Sequence, residues 1–142
     1  VSCKKNNTVS PPVAGDYLIV GQTGGFTSAE ARATYYQIKN GELKADTSQS
    51  YHNVPADINK FNFNYLQSST KYERVKDLLT AIPAELLRKN NAKIGTYMVD
   101  AGYTDVRTSV NGVVYTWKFE ADQKGSCAEV QTYVHRMVTD FY

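Results

Sequence analysis

The sequence predicts an α+β domain in which an antiparallel sheet carries two helices on one of its faces. Two Asn-Gly pairs, each lying between stretches of alternating residues, predict two β-hairpins. Two later segments carry apolar residues three and four positions apart, which is typical of helices with one buried face. The predicted order of elements is β-β-β-β-α-β-β-α, and the expected architecture has two layers.

The composition is that of one folded domain. Of the 142 residues, 42% are hydrophobic and 12% are aromatic, which is enough to form a core. The formal net charge is only +2 and no basic stripe is visible, so nucleic-acid binding has little support. No apolar stretch approaches the roughly 20 residues of a membrane-spanning helix. Membrane attachment would therefore need a lipid or a partner.

The first half of the domain is predicted to form strands. An apolar stretch at residues 16–21 predicts the first strand. Asn40-Gly41 joins the next two, and a two-residue turn places five side chains on one face: Thr34, Tyr36, Ile38, Leu43 and Ala45. Residues 46–59 predict a loop, and alternation over residues 61–65 predicts a fourth, half-buried strand.

The second half is predicted to contain a helix, a hairpin and a final helix. Thr70 and Glu73 have the spacing of a capping box ahead of an apolar helical face. Asn111-Gly112 predicts a hairpin with one mostly apolar face, made of Val106, Thr108, Val110, Val113, Tyr115, Trp117 and Phe119. Ser126 and Glu129 predict a second capping box, and the helix after it carries an apolar stripe made of Val130, Tyr133, Val134, Met137, Val138 and Phe141.

No catalytic or metal-binding constellation stands out in the sequence. His135 would lie about 12 Å along the last helix from Cys127, well beyond the ~3 Å reach of a catalytic dyad. His52 is the other histidine, and the aspartates fit no calcium-loop pattern. The glycines after the first strand lack the Gly-Lys-Ser/Thr of a phosphate loop. We therefore expect a non-enzymatic protein without catalytic residues, metal or cofactor.

A cysteine at position 3 gives the clearest indication of location. Val1-Ser2-Cys3 has small residues before the cysteine, and the polar stretch Lys4-Lys5-Asn6-Asn7 follows it. This region resembles the cleavage site of bacterial lipoproteins of the Bacteroidetes type. The resemblance implies a lipid on Cys3 and a membrane-anchored, extracytoplasmic protein on the periplasmic or cell-surface side of the outer membrane.

The same interpretation divides the chain into a tether and a domain. Residues 1–14 are expected to form a flexible tether, since their polar, proline-bearing composition cannot bury itself. Residues 15–142 are expected to form the single α+β domain. Cys127 is the other cysteine in the chain, and a disulfide between Cys3 and Cys127 is an alternative that excludes the lipid.

A glycine-rich segment after the first strand is the candidate binding loop. Gly24, Gly25, Phe26 and Thr27 combine backbone freedom with one aromatic side chain. Phe26 is either an exposed anchor for a partner or a lid over the edge of the core.

A longer pattern carries a second resemblance. Gly24-Gly25-Phe26, Tyr36-Gln37-Ile38, Asn40-Gly41 and Asp100-Ala101-Gly102-Tyr103 follow one another as in the emfourin-type inhibitors of metallopeptidases. The resemblance implies a protein that blocks a peptidase with a loop supported by strands.

Three functions remain open from the sequence. The leading hypothesis is an envelope lipoprotein domain that binds another protein, such as a peptidase, with membrane contact only through a lipid on Cys3. The alternative is an accessory subunit of an outer-membrane complex. Eleven tyrosines and Trp117 leave a glycan-binding module as a third hypothesis, although Trp117 and Tyr115 fall on the predicted core face.

Overall fold

The structure, a computed structural model, describes Cys3 and residues 13–23, 34–48 and 57–142. The described residues include seven strands: β1 (Tyr17–Thr23), β2 (Tyr35–Lys39), β3 (Glu42–Asp46), β4 (Tyr65–Leu66), β5 (Ala92–Ile94), β6 (Tyr103–Val110) and β7 (Val113–Glu120). They also include three α-helices: α1 (Ser69–Val75), α2 (Ala84–Leu87) and α3 (Ala128–Thr139). Short 3-10 turns occur at Ile58–Lys60 and Lys76–Leu79. The predicted α+β class is confirmed.

The strands form one sheet in the order β4-β3-β2-β1-β6-β7-β5. Neighbouring strands are antiparallel except β5 and β7, which run parallel. Both predicted hairpins form, since Asn40, Gly41, Asn111 and Gly112 all have positive φ, as a type I′ turn requires. The sheet is therefore mixed rather than wholly antiparallel, because β5 adds an edge strand that the sequence analysis did not identify.

The helices cover one face of the sheet and form the core with it. Buried side chains on this face include Val20, Ile38, Val106 and Trp117 from the strands. The helical side contributes Val75, Leu78, Ile82, Leu86, Val130, Tyr133, Val134, Met137 and Phe141. The predicted placement of Trp117 on the core face is confirmed, whereas Val113 and Val138 are exposed. Within the described residues, no helix has the length and apolar character needed to cross a bilayer.

The side chains of Tyr133 and Arg136 fix α3 on the domain through hydrogen bonds. The Tyr133 hydroxyl donates a hydrogen bond of 2.6 Å to the Leu78 carbonyl oxygen. Arg136 donates to both carboxylate oxygens of Asp77, at 2.7 and 3.0 Å, and to Asp140 at 3.0 Å. The guanidinium lowers the pKa of Asp77 from its usual value because it hydrogen-bonds the charged form. This fork holds α3 against the turn after α1.

The helix starts differ from the predicted capping boxes. Ser68, rather than Thr70, caps α1, and its hydroxyl oxygen accepts a hydrogen bond from the Lys71 N–H at 3.2 Å. Cys127 occupies the N-cap position of α3 and supplies no side-chain cap. Ser126 instead donates to Gln123 Oε1 at 2.7 Å. The Ser126 prediction was wrong because this hydroxyl stabilises the preceding turn.

The buried carboxylate of Asp16 joins the start of the domain to the second hairpin. It accepts hydrogen bonds from the N–H groups of Val13, Asn111 and Gly112 and from the Ser109 hydroxyl, at 2.9 to 3.3 Å. Burial by itself would raise the pKa of Asp16, but these four hydrogen bonds outweigh it and the pKa is lowered. The Asn111-Gly112 turn is thus tied to the beginning of β1.

Candidate functional site

The predicted binding loop falls beyond the described residues. Gly24, Gly25, Phe26 and Thr27 lie in the undescribed stretch after Thr23, so the question of whether Phe26 is exposed stays a prediction. Thr23 is the last residue of β1 and pairs with Tyr103, the first residue of β6. The segment that begins at Gly24 is therefore attached to the sheet beside the point where the chain enters β6.

The chain that enters β6 at that point carries an exposed apolar segment, which we call the 97–99 loop: Tyr97, Met98 and Val99. These three consecutive side chains are 70%, 49% and 75% exposed. Solvent exposure of three large apolar neighbours is unusual on the surface of a soluble domain, where such groups are mostly scattered singly. The 97–99 loop is therefore a candidate binding site.

The 97–99 loop is held at both of its ends. Before it, the Thr96 N–H donates to the Asp122 carbonyl at 2.7 Å, and the Gln123 side chain donates to the Ile94 carbonyl at 2.7 Å. After it, Asp100 and Gly102 adopt positive φ and turn the chain into β6. The backbone on either side of the three apolar side chains is thus held in place.

Sequence reasoning did not single out the 97–99 loop as a site. It used the neighbouring Asp100-Ala101-Gly102-Tyr103 only as part of a resemblance. The available signal was three apolar residues placed between Gly95 and Gly102, too few to form an element of their own. Their exposure depends on which way the loop leaves the sheet, and that is a tertiary property.

Cys3, the candidate lipidation site from the sequence, is joined to Cys127 by a disulfide. The two Cα atoms are 5.1 Å apart, and both residues pack at the edge of the core. The Cys3 N–H also donates to Glu129 Oε2 at 2.9 Å. Residue 3 is therefore attached to the start of α3, while the tether predicted for residues 1–14 falls largely outside the described residues.

Cys3, Cys127 and Glu129 also form a group whose potential ligand atoms all lie within 4.8 Å of one another. Both sulfur atoms belong to the disulfide, which removes the thiolates that a metal would need. The carboxylate of Glu129 already accepts the Cys3 N–H. The arrangement is that of a covalent link with a supporting hydrogen bond.

The sheet face away from the helices carries a row of paired residues across five strands, and all of them except a glycine are polar or aromatic. Neighbours in the row, in order from β2 to β5, are Tyr35, Gly21, Asp105, Lys118 and Lys93. The Tyr35 hydroxyl donates a hydrogen bond of 3.1 Å to Asp105 Oδ2. Burial raises the pKa of both groups, and the hydrogen bond from Tyr35 partly offsets this for Asp105.

The remaining candidates from the sequence do not converge on one place. His135 is exposed on α3, and His52 lies outside the described residues. Tyr65 is exposed on β4 at the opposite edge of the sheet from β5, far in the strand order from the 97–99 loop. Tyr115 stacks on Trp117 at the core face. The glycan hypothesis thus gains no shared aromatic surface from these residues.

Comparisons with protein-family models, with curated proteins and with solved structures find no match for this chain.

Proposed function

We propose that the chain is a non-enzymatic, extracytoplasmic domain that binds a protein partner through the loops at one end of its sheet. The observation that carries the proposal is the exposure of Tyr97, Met98 and Val99 on an anchored loop. Protein interfaces use aromatic and Met side chains at their centre, where they are desolvated on binding. A rigid base lowers the entropy that is lost when such a loop docks.

The segment Gly24-Gly25-Phe26-Thr27 belongs to the same proposed surface. Its attachment point, Thr23, is paired with Tyr103, and the 97–99 loop ends shortly before Tyr103. Two loops that leave neighbouring strands at one end of a sheet can contact one partner together. Phe26 would then add a second aromatic anchor to the one supplied by Tyr97.

An extracytoplasmic location gains support from the Cys3–Cys127 disulfide. Structural disulfides persist in oxidising compartments and are rare where thiols are kept reduced. The sulfur of Cys3 cannot hold both this disulfide and a lipid. The lipid remains our proposal for a membrane-bound form, and intact mass measurement of protein from its native membrane distinguishes it from a disulfide-bonded soluble form.

The partner class that we propose is a peptidase, on the resemblance to the emfourin-type inhibitors. The experiment is site-specific photo-crosslinking in native cells, with a photoreactive residue at position 97. The matched control places the same residue at position 65, because Tyr65 is 63% exposed and lies near the other edge of the sheet. A crosslink to a peptidase at position 97, absent at position 65, supports the proposal.

Two variants then test the surface with the captured partner. Tyr97→Ala and Phe26→Ala should each weaken binding by about tenfold or more, while Tyr65→Ala should leave it unchanged. Capture of a membrane complex instead of a peptidase would favour the accessory-subunit alternative. Binding that survives both Tyr97→Ala and Phe26→Ala would overturn the assignment of these loops.

A further inference from the structure

A cavity of about 330 Å³ lies on the sheet face opposite the helices. Its wall is formed by Tyr35, Phe61, Asp105, Arg107, Thr116 and Lys118. A volume of this size is at the lower end of the range for sites that take small organic molecules. The cavity lies on a face of the sheet, whereas the 97–99 loop leaves the end of the sheet, so ligand binding in the cavity does not depend on the proposed function.

One side of the cavity is aromatic. The rings of Tyr35 and Phe61 lie with centroids 4.8 Å apart and are tilted by 51°. Ile19 lies beside them as part of the small apolar cluster on this face. A ligand with a flat or puckered ring can bury one of its faces against such a wall.

The other side of the cavity is cationic. Arg107 is paired with Thr116 across β6 and β7, and Lys118 lies between Asp105 and Lys93 in the neighbouring row. None of the three cations forms an ion pair or donates a side-chain hydrogen bond to any residue within 13–23, 34–48 or 57–142, and Lys118 Nζ lies over the Tyr103 ring at 5.0 Å from its centroid. Arg107 Nε is buried and lacks a hydrogen-bond partner in the same part of the chain. A buried donor without a partner costs free energy, which a bound acceptor would recover.

The single carboxylate on the wall faces this excess of positive charge. Asp105 Oδ2 accepts the Tyr35 hydroxyl, and no side chain of the described residues donates to Oδ1. Three cations against one carboxylate favour an anionic ligand over a cationic one. Oδ1 can in addition accept a hydrogen bond from a ligand hydroxyl.

We propose that this cavity binds a small hydroxylated ring carboxylate. Its carboxylate would lie on Arg107 and Lys118, its ring against Phe61, and its hydroxyl at Asp105. Both an acidic sugar and a hydroxy-aromatic acid carry this chemistry. An Arg side chain suits the task because its planar donors match a carboxylate in a bidentate arrangement.

The test is NMR titration of the ¹⁵N-labelled protein with glucuronate and, separately, with 4-hydroxybenzoate. Glucose and 4-hydroxybenzyl alcohol are the matched probes without the carboxylate. We expect saturable shifts at Asp105, Arg107 and Lys118 with an acid at up to about 10 mM, and none with its neutral counterpart. Binding of glucuronate alone assigns an acidic sugar, and binding of 4-hydroxybenzoate alone assigns an aromatic acid.

A variant pair identifies the cation responsible. Arg107→Ala should weaken the affinity for the acid that binds by about tenfold or more, because a hydrogen bond to a charged group is lost. Lys44→Ala is the control, since Lys44 lies on the same face, pairs with Glu42 and is outside the cavity. Equal response to the acid and its neutral counterpart, or no shift with either acid in the folded wild-type protein, would overturn the proposal.

Discussion

The ring of Tyr35 occupies the space that a side chain on Gly21 would need. The two residues are partners across β1 and β2, and a Cβ built on Gly21 would overlap three ring atoms of Tyr35. The ring therefore crosses β1, and its hydroxyl reaches Asp105 on β6. Gly21 is required here for close approach rather than for an unusual backbone angle.

We expect Gly21→Ala to destabilise the domain by about 2–3 kcal/mol, because the added methyl group forces the Tyr35 ring out of its position. The change in the free energy of unfolding is measured by urea unfolding with tryptophan fluorescence as the probe. Tyr35→Ala provides the partner variant for a double-mutant cycle. The cost of Gly21→Ala should fall substantially in the Tyr35→Ala background; an equal cost in both backgrounds would contradict the contact.

The contact between Gly21 and Tyr35 shows where prediction from the sequence ends. The two hairpin registers could be predicted, because an Asn-Gly turn of two residues fixes which side chains face each other. The register between β1 and β2 could not, because residues 24–34, which join them, are too many to fix the register as a two-residue turn does. The row from Tyr35 to Lys93, and hence the cavity, depends on that register.

Short strands could not be predicted from the sequence either. Strand β5 has three residues, and its parallel pairing with β7 depends on the path of the chain after α2. The alternation predicted for residues 61–65 is seen in the burial of their side chains, since Phe61 and Phe63 are half-buried and Asn62 and Asn64 are exposed. Strand pairing, however, occurs only at Tyr65 and Leu66. Periodicity reports which side chains are buried, and it does not report hydrogen-bond pairing.

We expect the domain to lose much of its stability when the Cys3–Cys127 disulfide is removed. It closes a loop with a sequence separation of 124 residues. In the double variant Cys3→Ser/Cys127→Ser, we expect the free energy of unfolding to fall by about 2–5 kcal/mol, because the unfolded chain regains the freedom that the link removed. Thermal and urea unfolding of the oxidised protein and of the double variant give the difference.

Reduction of the wild-type protein is the matched control for that variant. With dithiothreitol present, the wild-type protein should unfold at nearly the same urea concentration as the double variant, and the variant itself should not respond. If oxidised and reduced wild-type protein have the same midpoint, the bond does not contribute to stability. If mass measurement of native protein finds a lipid on Cys3, the disulfide belongs only to a form without the lipid.

The lowered pKa of Asp16 predicts an acid-dependent contribution to stability. Asp16→Asn should cost about 2–3 kcal/mol at neutral pH, because an amide cannot accept all four hydrogen bonds and leaves buried donors unpaired. The folded-state pKa lies below the usual value of 3.8, so the unfolded chain binds the proton first as the pH falls. The contribution is therefore full above that value and is lost as the pH drops through the folded-state pKa.

Urea midpoints of wild type and Asp16→Asn across the acid range measure this behaviour. The difference between the two proteins should shrink below about pH 4. The control is Asp100→Asn, since Asp100 is exposed and has the positive φ that Asn also tolerates. A difference that persists unchanged into acid would mean that the charge on Asp16 does not contribute.

Asp105 should change stability with pH in the opposite direction to Asp16, lowering it as the pH rises. Its pKa is raised in the folded state, chiefly by burial, so the folded protein keeps this proton to higher pH than the unfolded chain does. Ionisation of Asp105 therefore costs stability as the pH rises from its usual value of 3.8 through the raised one. Asp105→Asn should match wild type in acid and become the more stable protein towards neutral pH, while its amide oxygen still accepts the Tyr35 hydroxyl.

Tyr35→Phe separates this electrostatic effect from packing. The Tyr35 hydroxyl stabilises the charged form of Asp105, so its removal should raise the pKa of Asp105 further and extend the loss of stability to higher pH. In the double variant Tyr35→Phe/Asp105→Asn, the part of the pH dependence that comes from Asp105 should be absent, as it is in Asp105→Asn alone. If Tyr35→Phe instead shifted the curve by a constant amount at every pH, the hydroxyl would contribute without acting on the charge of Asp105.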